Sequence, residues 1–447
     1  KVTYVVFRCK KFPVVFVSFI RVNFLIRFMG NTMSEKRNMF INTARTIELG
    51  NSSWQLAQES GLTDRSVVQC HPSRLRDQDG HTFMNMCSCS YLGLETDERL
   101  VQRAARYVLD SGTVNLPTSR IRIRLRELDE LEDALSAHFD CQAFTATSCS
   151  AGIVASLPLL AAGIFTDGVR PYLVFDKHAH FALNQVKAIC GDETQVTTCA
   201  HNDVEFIEDM CKRHRQVAYV ADGAYSMGGS APIERLLALQ EKYGLFLYFD
   251  DSHSLSAYGR KGEGYVRSLM PEINSRTILV YSLAKAFAAN GGGIFMSRQA
   301  SYHKVFRRFG GPMSYSQYLN PAAIGAAMAS LEIHRSAELA TLQGRLMRNI
   351  ALFDQLMPTE HAGTPSPIRV VPMASPDMAV SVSEAVFREG FYTSAVFFPI
   401  VARDKSGLRV MLRADMTEED IRSFCSIVAQ QVQRCGGSLT GNEEARP

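Results

Sequence analysis

At 447 residues the chain is long enough for about three domains and for a sizeable buried core. A net charge of +3, with no long basic block beyond residue 35, argues against a polyanionic partner such as nucleic acid. The eleven cysteines are scattered without paired metal spacing, Cys87 and Cys89 forming an isolated C-x-C, and read as reduced thiols of a cytoplasmic protein.

Residues 1–28 contain no acidic residue, several Lys and Arg, and apolar clusters such as 14–20. A membrane helix needs about 20 nearly uncharged residues, and Arg21 and Arg27 interrupt this one, so no membrane span is expected. The segment is consistent with targeting or membrane-surface sequence. Because Met29, Met33 and Met39 all precede the recognisable protein, upstream sequence without a functional role is the favoured reading. Residues 29–95 read as an N-terminal arm, polar and irregular from 45 to 90. Leu125, Leu128, Leu131, Leu135 and Phe139 recur at spacings of three and four and predict an amphipathic helix that packs on a core. Apolar runs at 171–175, 217–220, 246–249 and 278–281 alternate with helix-like segments, the pattern of an α/β fold with a mostly parallel sheet covered on both faces.

Two of these runs end in chemistry. The run 278–281 leads into Ser282-Leu283-Ala284-Lys285-Ala286, followed by Gly291-Gly292-Gly293. A lysine among small residues is poorly hydrated, which favours the neutral amine that forms Schiff bases. The run 246–249 stops in Asp250-Asp251-Ser252-His253. Ligands of open α/β sheets bind at the carboxyl ends of strands. A carboxylate there can keep the pyridine nitrogen of pyridoxal phosphate protonated, and His253 is placed to reach the ring's phenolic oxygen. Thr147-Ser148-Cys149-Ser150 reads as a turn opening a helix, whose free N–H groups suit a phosphate, although such serines also simply cap helices. Asp176-Lys177-His178-Ala179-His180 follows another strand, but no third Cys or His cluster supports a metal there.

With these residues in view the chain resembles the pyridoxal-phosphate α-oxoamine synthases, the family of 8-amino-7-oxononanoate synthase and serine palmitoyltransferase, over residues 91–421. Ser90-Tyr91-Leu92-Gly93-Leu94, Ala200-His201-Asn202-Asp203 and Asp222-Gly223-Ala224-Tyr225-Ser226-Met227 come in family order, then Asp250 to His253 and Lys285. Asp-Asp-Ser-His-Ser-Leu and Ser-Leu-Ala-Lys-Ala-Phe-Ala are similar to the synthases of α-hydroxyketone autoinducers.

The resemblance implies fold type I, with a large cofactor domain at 96–325, a small α/β domain at 326–433, a flexible tail at 434–447, and a homodimer. It implies that His180 stacks on the cofactor ring, that Ser226 and His253 hold its phenolic oxygen, and that Ser148, Cys149, Ser150 and Ser282 meet its phosphate. By the same resemblance Ser316 reaches the partner subunit's phosphate. The reaction implied is a Claisen-like condensation: an amino acid loses its α-proton, with Lys285 as base, and the carbanion attacks an acyl thioester. Loss of the thiol and, usually, of carbon dioxide leaves an α-aminoketone. An aminotransferase, an amino-acid decarboxylase or a non-catalytic partner subunit are alternatives on the same fold.

Three departures stand out. Gly228-Gly229 follow Met227 where the family has Asp-Gly, and Val114 to Thr118 replaces the glycine-rich approach to Ser119-Arg120. Phe398-Pro399 replaces the family's Arg-Pro, whose arginine grips the substrate carboxylate. Arg403 and Arg409 are then the nearest arginines able to take that role.

Overall fold

A computed structural model describes residues 43–437. The expectations for residues 1–28 and for 438–447 of the tail lie outside the described residues. Within the arm, residues expected to be irregular instead form the helix Thr43–Glu59 and a small sheet of Val67–His71, Arg74–Asp77 and Thr82–Asn85. Phe391–Tyr392, from far along the chain, adds to it parallel to Thr82–Asn85, so the arm is sewn to the C-terminal part by a strand pairing.

The large sheet has seven strands in the order Gln142–Ala146, Gly292–Met296, Thr277–Ser282, Phe246–Asp250, Val217–Asp222, Tyr172–Asp176 and Val196–Cys199. The last five run parallel, and Gly292–Met296 is antiparallel to both its neighbours. Each buried strand divides its side chains between two cores. Tyr219, Leu247, Phe249, Leu279 and Tyr281 enter one. Val220, Phe246, Tyr248, Ile278 and Val280 enter the other. That is the period-two alternation of a sheet covered on both faces, and it explains why the runs are apolar throughout. The amphipathic helix spans Arg126–Phe139, with Leu128, Leu131, Leu135 and Phe139 buried.

A second, three-stranded antiparallel sheet (Ile368–Pro372, Gly407–Met411, Ser394–Val396) carries the C-terminal core with helices Glu338–Leu356, Pro376–Arg388 and Glu418–Arg434. The helix Pro321–His334 runs through the boundary expected at 325/326. It places Ala323, Ile324 and Ala327 in the core of the large sheet and Ala329 and Ile333 in the C-terminal core. Among the described residues no helix is long and apolar enough to cross a membrane.

Candidate active site

Parallel pairing brings the strand ends together. Asp222 lies opposite Asp250 in register, and Asp250 opposite Val280, two residues before Ser282. The next strand turns back antiparallel, which needs only a short connection, and Lys285 sits in that connection at the same end of the sheet. Its carbonyl accepts from Ala288 N–H at 2.8 Å, and Ala288 takes a left-handed φ of 58° to close the turn.

Asp250 is buried and held by its own neighbourhood. Its Oδ1 accepts from Ser252 N–H at 3.1 Å and from the Ser252 hydroxyl, and its Oδ2 accepts from the Cys149 thiol at 3.6 Å. The Ser252 hydroxyl also accepts from Ser282 N–H at 2.7 Å, so one serine links the two strand ends. Burial, and then the Asp250 charge, push the Cys149 thiol well up, so it remains S–H. Asp251 points the other way, into the protein, accepting from Val266 N–H at 2.9 Å. Burial raises its carboxyl from 3.8 to about 7.

His253 is buried, and its Nδ1 lies 2.6 Å from the Tyr91 hydroxyl. Burial, then Lys285, Arg409 and His180, push the imidazole well below its ordinary range, and burial pushes the Tyr91 hydroxyl well above its own. A protonated Tyr91 facing a neutral imidazole donates to Nδ1, which leaves Nε2–H as the outward donor. Burial lowers His180 as well, against the opposing Asp250 charge, and its backbone N–H donates to Asp222 Oδ1 at 2.9 Å. Burial and then Asp250 push the Asp222 carboxyl well above the usual carboxylate range.

The helix start at Cys149 offers backbone donors. Ser148 caps the helix Cys149–Ala161, its hydroxyl accepting from Ala151 N–H at 3.1 Å, so its side chain serves the helix while the first-turn amides of Cys149 and Ser150 remain for an anion. Gly292 presses against this turn: a Cβ there would stand 2.5 Å from Cys149 N.

The structure thus brings Lys285, Asp250, His253, His180, Cys149 and Ser282 around one cleft at the strand ends. Ser226 is half-buried in the turn after Val217–Asp222. Ser316 follows the short helix Gly311–Tyr315 and bonds back to Pro312 through its N–H, beside Tyr315, which is 87 % exposed. The arginine of Arg403 lies over the Phe398 ring at 5.5 Å and is itself exposed. Arg409 is half-buried, acts electrostatically on both His180 and His253, and has a buried Nε with no hydrogen-bond partner. His178 turns from the cleft and stacks on His201 at 4.3 Å, while His201 Nδ1 bonds Asp176 Oδ1 at 3.0 Å.

Two residues had no role in the sequence reading. Asp222 ends an apolar strand just as Asp250 does, so the same signal marks it. Tyr91 stands in a motif that was noted, but nothing local shows it reaching a histidine 162 positions away.

An amine in a small-residue turn, a strand-end carboxylate, a neutral imidazole and an anion-binding helix start fit pyridoxal phosphate. Together with the doubly covered sheet they define a fold type I pyridoxal-phosphate enzyme. Residues 81–428 match the aminotransferase class I and II family, and the chain belongs to it. It is 27 % identical to an 8-amino-7-oxononanoate synthase of Marinomonas sp. (strain MWYL1), over 83 % of this chain and 93 % of the relative. The corresponding enzyme of Maricaulis maris is 28 % identical over 80 % of this chain and 89 % of its own. Among solved structures, Sphingomonas wittichii serine palmitoyltransferase superposes with a TM-score of 0.77 at 18 % identity, covering 89 % of this chain and 99 % of that one. The 8-amino-7-oxononanoate synthase of Francisella tularensis gives 0.65 at 18 % identity, covering 79 % and 99 %.

Proposed function

We propose that the chain is a C-acyltransferase that joins an amino-acid-derived carbanion to an acyl thioester, releasing the thiol and, usually, carbon dioxide, to give an α-aminoketone. The observation that carries it is the convergence of Lys285, Asp250 and neutral His253 on one cleft behind the helix start at Cys149. When bound, pyridoxal phosphate supplies the electron sink for the carbanion. The first-turn amides of Cys149 and Ser150 would hold its phosphate, with the Ser282 strand end alongside. Asp250, oriented by Ser252 and Cys149, would offer a carboxylate to its pyridine nitrogen. His253 Nε2–H would donate to its phenolic oxygen, with Ser226 assisting, and His180 would cover the ring. Lys285 moves the α-proton of the amino acid.

Arg409 rather than Arg403 is assigned the donor carboxylate. Its buried Nε has no hydrogen-bond partner and its charge acts on both His180 and His253, whereas Arg403 is exposed with its guanidinium over Phe398. A carboxylate gives such a group paired charge-assisted bonds. The active assembly is a homodimer that covers Tyr315 and Phe309, the latter 67 % exposed.

A panel of amino acids against acyl thioesters, read as free thiol, tests the reaction. Borohydride reduction and peptide mapping place the pyridoxyl label on Lys285. Transamination or decarboxylation without thiol release overturns the acyltransferase reading, and label on another lysine overturns the site. Arg409→Ala is expected to weaken donor binding at least about tenfold, and Arg403→Ala to leave it nearly unchanged.

A further inference from the structure

The run Asp176-Lys177-His178-Ala179-His180 carries an acid that the proposed reaction does not use. Asp176 ends the strand Tyr172–Asp176 and is fully buried. Its Oδ1 accepts from His178 N–H at 2.7 Å and from His201 Nδ1 at 3.0 Å, and its Oδ2 accepts from Asn202 N–H at 2.7 Å and from the Tyr219 hydroxyl at 2.8 Å. These donors fill the acceptor capacity of one carboxylate. Burial pushes the carboxyl up, but the bonds from His201, Asn202, His178 and Tyr219 outweigh it and hold the group below the usual carboxylate range, so it is ionised at neutral pH. A charge is costly to bury, and neutral groups can close turns as well. What an ionised acceptor adds is strong bonds of fixed direction.

Those bonds lead to two groups of the cleft. On one side His178 N–H meets the carboxylate and Ala179 N–H meets the Asp176 carbonyl at 3.1 Å, which sets the turn ending in His180, whose own N–H is tied to Asp222. On the other side Asn202 takes a left-handed φ of 56°, which asparagine tolerates better than most residues. Its side chain grips the turn that carries Ser226: Oδ1 accepts from the Tyr225 hydroxyl at 3.1 Å, and Nδ2 donates to the Ser230 carbonyl at 3.1 Å. The His201 ring, fixed by Asp176, packs edge-on against Tyr225 at 4.5 Å. One carboxylate therefore tethers both the His180 turn and the Ser226 turn, although the two follow different strands.

We propose that Asp176 is a positioning residue of the reaction, fixing His180 through the His178 N–H and Ser226 through Asn202, so that one anchor sets both the group over the cofactor ring and the group beside its phenolic oxygen. The assignment rests on the reading of the site given above.

The test compares the native holoenzyme with Asp176→Asn, Asn202→Gly and His178→Ala. Asp176→Asn replaces an acceptor oxygen by a donor that faces donors. It is expected to lower kcat at least about tenfold and to change the visible circular dichroism of the bound cofactor, which reports ring orientation, while cofactor affinity stays within about threefold because the helix start at Cys149 is untouched. Asn202→Gly keeps the left-handed backbone and the N–H bond to Asp176 but frees the Ser226 turn, so the pH midpoint of the cofactor's absorbance should move. His178→Ala keeps its backbone N–H and should match the native protein in all three readouts. Native dichroism, absorbance midpoint and kcat per bound cofactor in a folded Asp176→Asn, with losses confined to the unfolding midpoint, reduce Asp176 to a residue that holds the fold and overturn the proposal. Where Asp176→Asn does not fold, an unmoved absorbance midpoint in Asn202→Gly overturns it. A native protein that takes up no cofactor, by absorbance or by label on Lys285, refutes the site reading itself and the positioning role with it.

Discussion

Asp251 keeps its proton to about pH 7 in the folded protein, against 3.8 ordinarily. Between these values the native state binds a proton that the unfolded chain has released, so this group's contribution is full below about pH 4 and is lost as pH rises to about 7. Asp251→Asn should flatten the unfolding midpoint across that window and gain on the order of 2–4 kcal/mol at pH 8. An unchanged pH slope would show that Asp251 is not the titrating group. Tyr91→Phe removes the 2.6 Å partner of a buried imidazole. A cost of about 1–3 kcal/mol is expected, with a fall in kcat as the His253 tautomer loses its anchor. Stability and kcat both equal to the native values would make the bond incidental.

At the scale of elements, the cofactor cradle is a helix start pressed by a strand, and glycine is what lets them meet. A Cβ at Gly292 would strike the Ser148 carbonyl group and Cys149 N, all backbone atoms that cannot swing aside. Gly292→Ala should therefore lower cofactor affinity at least about tenfold by displacing the phosphate-binding amides. Equilibrium dialysis measures this, with Gly311→Ala, where nothing lies within 4 Å, as the control. The strands and the helix Arg126–Phe139 were legible because apolar runs and three-and-four spacing are local signals. The fit of Gly292 against Ser148 was not, since it joins segments more than a hundred residues apart.

In the whole molecule the arm, the large sheet and the C-terminal core meet around the cleft: Tyr91 comes from the first, His253 and Lys285 from the second, Arg409 from the third. Arg413, 1 % exposed, holds this junction by pairing with Glu95 at 2.6 Å and Asp415 at 2.7 Å. Arg413→Ala strands two carboxylates and should cost about 3–5 kcal/mol. Glu95→Gln should be milder, because Asp415 remains. Denaturant unfolding followed by cofactor absorbance checks both, and equal losses would count against Asp415 as the second anchor. The sequence by itself determined the doubly covered sheet and the trio Asp250, His253 and Lys285, because each lies where an apolar run ends and a polar turn begins, a transition written in consecutive residues. Only the tertiary structure decided that Tyr91 orients His253, that Asp222 stands beside Asp250, and that Arg409 is half-buried near His180 and His253 while Arg403 lies exposed over the Phe398 ring. Those relations arise from strand register and from packing between remote segments, and no spacing along the chain encodes them.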